Sequence, residues 1–159
     1  MSPDPRPDLL DNTRWKSQGV HPMLVGLPLG LFATSVVFDL IDLATRTGAF
    51  NVPSYWLIAA GVVGGLLAAP FGYLDWRQVP RGSRARRLGA LHGAGNGLVL
   101  LLFACSWLLR VPEARVPGEA LLLSLAGVAF AMFTAWLGGG LLARLGRRDK
   151  GGDRAAGAH

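Results

Sequence analysis

In this chain of 159 residues, His21, Asp39, Asp75, His92 and Asn96 stand within or beside long apolar runs. HGAGN at 92–96 sets an imidazole and an amide one helical turn apart, on one face of a helix. GYLDW at 72–76 brings a carboxylate to the end of the preceding run, and HPML at 21–24 opens the first. Two histidines with a carboxylate can ligate a transition metal, or the iron of a haem. One histidine can instead donate to Asp75 and be oriented by it. Proton exchange is a third use, because imidazole titrates near neutrality. A fourth is structural, a network that caps and joins helices. Choosing among these requires the elements that carry the residues.

Residues 17–38, 47–74, 88–109 and 120–143 contain no Asp, Glu, Lys or Arg. About 20 mostly apolar residues suffice to cross a bilayer as a helix. A soluble bundle of the same length would carry a polar stripe on each helix. These runs have none, and the arginines gather between them. The expected fold is all-α, an integral-membrane, up-down four-helix bundle with spans near 20–43, 54–77, 88–110 and 119–143. Residues 1–18 are expected to form a loose cytoplasmic tail, 19–143 the transmembrane domain, and 144–159 a basic, glycine-rich, disordered tail. The first twenty residues are polar and lack the apolar core of a cleavable signal peptide. Cys105 is the only cysteine, which excludes an internal disulfide and any CxxC metal pair.

With four spans, both termini share one side of the membrane, termed side A. Thirteen of the 16 basic residues fall on that side; only Arg46, Arg110 and Arg115 fall on the other, side B. The positive-inside rule then makes side A cytoplasmic. The loop VPRGSRARR at 79–87 carries a dense part of that bias, four arginines in nine residues. The net charge of +6 is thereby explained by topology and anionic lipid head groups, with no nucleic acid partner. Trp15 and Trp76 mark the side A boundary, and Tyr55, Trp56 and Trp107 mark side B, as interfacial aromatic belts require.

This topology carries His21, Asp75, His92 and Asn96 to one shallow layer at side A. His21 and His92, on the first and third helices, are the candidate metal or haem ligands. Asp75 and Asn96 are candidates for orienting them or handling protons. Asp39 lies five turns beyond His21 on the same face. Near side B, Asp39 and Asp42 have Arg46 or Arg110 as salt-bridge partners, a pairing favoured over a catalytic carboxylate pair. Rows of small residues at four-residue spacing, Gly61–Gly65–Ala69 and Gly89–Gly93–Gly97, mark helix packing faces, with Gly138 and Gly139 near the end of the last span. There is no nucleophile triad, Walker loop, Rossmann fingerprint or HExxH, so no enzymatic reaction is assigned.

HPMLVGLPLGLFATSVVFD at 21–39, GYLDW at 72–76, HGAGN at 92–96 and WLGGGLL at 136–142 resemble the motifs of DUF2231, a family of uncharacterised bacterial membrane proteins. The similarity covers nearly all of residues 20–142. It implies a four-span inner-membrane protein and singles out His21, Pro22, Pro28, Asp39, Gly72, Asp75, His92, Asn96, Gly138 and Gly139. Some relatives are joined or adjacent to Rieske-type iron–sulfur domains, which implies redox work, although this chain has no Rieske cysteine–histidine pattern. The resemblance also implies a more acidic and aromatic ending after the paired glycines, where this chain reads GGGLLARLGRRDK.

The functional expectation is a redox or metal/haem-binding membrane component with its His/Asp cluster near the cytoplasmic face. The cofactor would be haem b or a transition metal. A structural membrane scaffold or subunit and a small proton-coupled transport module are the alternatives. Expected partners are the lipid bilayer, anionic head groups, and either a second copy of the chain or a redox partner protein.

Overall fold

The computed structural model describes the backbone of residues 11–136 and the side chains of residues 26–136. Four helices run antiparallel in sequence order: α1 (Asp11–Thr45), α2 (Asn51–Gln78), α3 (Arg84–Leu108) and α4 (Gly118–Trp136). Each contains a stretch long and apolar enough to cross a bilayer, beginning at Gly26 in α1. Among the described residues there is no strand. Helices satisfy every backbone hydrogen bond within the segment, which the hydrocarbon interior demands. Helix α1 begins at Asp11, so residues 11–18, whose composition suggested a loose tail, lie in its first turns. Pro28 and Pro70 sit within continuous helix.

The connections show why the helices stop where they do. Arg46 adopts a left-handed φ of 56° and its amide donates to the Asp42 carbonyl, closing the end of α1. Ser83 caps α3: its extended backbone frees the hydroxyl to accept from the Arg86 amide. The loop between α2 and α3 is tied down by three further contacts. Trp76 Nε1 donates to the Arg86 carbonyl at 2.9 Å, Arg86 Nη1 donates to the Val79 carbonyl at 2.8 Å, and the Arg86 guanidinium lies 4.2 Å from the centre of the Trp76 ring.

At mid-depth the helices meet through Phe32, Val36, Ile58, Val99, Phe103 and Ala131. Phe32 of α1 and Phe103 of α3 stack with centroids 4.0 Å apart and planes 6° from parallel. A glycine backs each ring. A Cβ on Gly61 would fall 2.5 Å from Phe32, and one on Gly127 would fall 2.7 Å from Phe103. Without a hydrophobic drive between helices in lipid, such close packing is what holds them. Leu27, Leu67, Leu122 and Trp136 point outward, as lipid-facing side chains should.

Candidate functional site

The two ends of the bundle differ. At side B, the end where α1 meets α2 and α3 meets α4, a polar cluster is sealed from solvent. Arg110 grips Asp39 with two parallel bonds, Nη1 to Oδ1 at 2.9 Å and Nη2 to Oδ2 at 2.7 Å. Both side chains are at least 98% buried. Four serines, one from each helix, are fully buried at this end; Ser54, Ser106 and Ser124 bond the pair, and the Ser35 hydroxyl donates to the Phe32 carbonyl. Ser54 donates to Asp39 and lies 3.0 Å from Arg110 Nη1. Ser106 and Ser124 accept from Arg110 Nη2 at 3.1 and 3.0 Å, and Ser106 donates to the Ala120 carbonyl at 2.7 Å. A buried charge pair is tolerable only when the remaining donors and acceptors are also met, and the serines meet them. Asp42 is buried beside this cluster but receives only a long 3.5 Å contact from Thr47. Asn51 Oδ1 and Trp107 Nε1, at the same end, are buried with no partner among the described residues.

At the opposite end a cleft of about 670 Å³ opens between α1, α2 and α3. Its walls are built largely of small residues, among them Gly65, Ala68, Gly72, Gly93 and Gly97. Asp75, Trp76, His92 and Asn96 line it, and Phe32 and Val99 stand deeper. Among the described residues, a Cβ on Gly93 or Gly97 would meet nothing within 4 Å. These two glycines leave room rather than admit a neighbouring helix. By contrast, Gly65 is pressed by Leu100 and Gly89 by Trp76, at 2.8 and 3.0 Å from an added Cβ. His92 is exposed, and its Nε2 lies 3.1 Å from Asn96 Nδ2, the one-turn contact their spacing allows.

The structure therefore brings Asp75, His92 and Asn96 to one cleft and sends Asp39 to the other end. The side chain of His21, and Gly138 and Gly139, lie outside the described residues. Among the described residues, no three His, Cys, Asp or Glu side chains come close enough to hold a metal ion.

A family model described as "Predicted membrane protein (DUF2231)" matches residues 17–150, most of the chain. The chain belongs to the DUF2231 family. The match spans all four helices of the bundle, and a DUF2231 membrane protein with four apolar helices agrees with the architecture above. No curated protein and no solved structure matches the chain.

Sequence reasoning paired Asp39 with Arg46 or Arg110 but did not tie the serines to that pair, and missed Gly127. Each serine stands in a charge-free run, and the signal was that every helix has one near its side B end. Ser35 and Ser106 are also placed identically, three residues after a phenylalanine.

Proposed function

We propose that this DUF2231 protein is a membrane-embedded redox component whose side A cleft binds a flat, mostly apolar group, with b-type haem the leading chemistry. The observation that carries the proposal is the cleft of about 670 Å³ with glycine and alanine walls and an imidazole, His92, in its lining. That volume lies in the range of small-molecule sites, and small side chains let a planar ring approach helix backbones closely. Ligation through His92 Nε2 would exchange its contact with Asn96. His21, eleven residues before Phe32 as His92 is before Phe103, is the candidate second ligand. The cleft's small-residue lining supports the shape of such a group, and His92 supplies one donor of the type haem iron takes. Bound haem would supply one-electron chemistry, while the chain supplies an apolar enclosure and a carboxylate, Asp75, at its edge. The side A termini and anionic lipid contacts belong to the same proposal, with side A facing the cytoplasm of a bacterial inner membrane.

The test is visible absorption of detergent-purified protein after haem-replete expression. A Soret band that His92→Ala removes without loss of helicity is expected. No Soret band, together with no bound transition metal by elemental analysis, overturns the proposal.

A second reading, a structural subunit, draws on the side B cluster, which joins all four helices through one ion pair. Partner capture that survives His92→Ala would favour it. A proton-coupled role draws less from the geometry: the layer of Phe32, Ile58 and Phe103 separates Asp39 from the cleft.

A further inference from the structure

We infer that the bundle is one two-helix hairpin used twice, α1–α2 and α3–α4, related by a two-fold axis along the bundle, and that its buried ion pair is a clamp whose charges are interchangeable. Segment 21–39, HPMLVGLPLGLFATSVVFD, aligns without gaps with segment 92–110, HGAGNGLVLLLFACSWLLR, at an offset of 71 residues. Eight of the nineteen positions are identical. Leucines count for little in a membrane span, so the weight falls on His21/His92, Gly26/Gly97, Phe32/Phe103 and Ser35/Ser106. The second helices align at an offset of 66, LIAAGV at 57–62 with LSLAGV at 123–128, sharing leucine, alanine, glycine and valine. The five-residue difference in offset falls at the helix ends, because α1 continues past Asp39 to Thr45 whereas α3 stops at Leu108, before Arg110, and the second hairpin's loop, 109–117, is longer than the first's, 46–50.

Three-dimensional contacts are the independent support. Residues related by a two-fold axis touch each other only where both lie against it. Phe32 touches Phe103, and seven residues further along the chain in each case Asp39, on α1, touches Arg110, just past the end of α3. Two such self-contacts, two turns apart on parallel helices, place the axis along the bundle, the arrangement of parallel repeats in membrane proteins. Their near-parallel ring planes are what a two-fold running between the rings produces. Gly61 backs Phe32 as Gly127 backs Phe103.

The axis explains the chemistry of the clamp. In a symmetric pair of identical hairpins, a charged side chain at this position would face its own copy, like against like. Joined in one chain, the two positions are free to differ, and one is Asp39 and the other Arg110. Each hairpin thus presents the surface that fits the other: a phenylalanine, a serine one turn on, then a charge. Ser54 bonds both Asp39 and Arg110, so a guanidinium entering from α1 would find that hydroxyl beside it, although Ile58 stands where the second hairpin has Ser124. The side A cleft, lined by α1 and α2 of one hairpin and α3 of the other, lies on the boundary between repeats.

The test is charge exchange in the full chain, read by thermal unfolding and monodispersity in detergent. Asp39→Arg and Arg110→Asp should each abolish monodisperse protein or lower the midpoint by more than about 10 °C. The double variant Asp39→Arg/Arg110→Asp should return to within about 5 °C of wild type, a shift on the order of 1–2 kcal/mol for a chain of this size. Single variants that match wild type, or a double variant that folds but is no more stable than a folded single, overturn the inference. If none of the three yields folded protein, the glycines decide. Gly61→Ala and Gly127→Ala should lower the midpoint equally, within about 3 °C, and be rescued by Phe32→Leu and Phe103→Leu respectively. A loss at only one glycine, or rescue at only one, overturns it.

Discussion

The two ends of this bundle spend their polar residues differently. Side B buries an arginine, an aspartate and four serines with almost every donor and acceptor matched. Side A leaves His92, Asn96 and Asp75 exposed around a cleft rich in glycine and alanine. A matched polar cluster in low dielectric is stiff, because any displacement strands a charge. An end lined by small residues has room for something else. The same four helices therefore form a closed, over-determined end and an open, accommodating one, with the stacked phenylalanines between them.

The largest expected effect comes from breaking the closed end. Asp39→Ala leaves Arg110 buried without its carboxylate and should cost about 3–5 kcal/mol, seen as a lower unfolding midpoint in detergent. Arg110→Ala should do the same, and the pair of substitutions together should cost less than the sum of the two. Next is Gly127→Ala, which drives a methyl group into the Phe103 ring and should cost about 1–3 kcal/mol. Ser124→Ala removes one acceptor from Arg110 Nη2 while Ser106 still serves it. It should cost about 1 kcal/mol, less than either charge deletion. At the open end, His92→Ala and Gly97→Leu should change stability by only about 0.5 kcal/mol. Both should abolish haem uptake, one by removing the imidazole and the other by filling the cleft. A stability loss at Gly97 as large as that at Gly127 would erase the contrast between the ends.

The spans were readable because charge-free runs of this length leave few alternatives, and the convergence of Asp75, His92 and Asn96 followed from up-down connectivity. The Asp39–Arg110 pairing was readable in part, since both sit near the side B end of their helices. What escaped was information held in depth rather than in pattern. Serines in an apolar helix carry no periodicity, so nothing in the primary order links Ser54 to Arg110. Gly93 and Gly97 shared a row with Gly89, yet only Gly89 meets a neighbour, Trp76. Spacing reveals a face and says nothing of whether another helix covers it. The duplication was hidden for a related reason: its most telling matches are single residues separated by leucines, and they acquire meaning only once Phe32 is found against Phe103.

The lock around Trp76 has a practical consequence. This indole is pinned by Arg86 at the rim of the cleft and also lines it. It is a native fluorophore held in a fixed orientation beside the space a guest would occupy. In a variant whose other four tryptophans are phenylalanine, a chromophore arriving in that space would quench its emission by energy transfer. Occupancy could then be followed in intact membranes without any added dye.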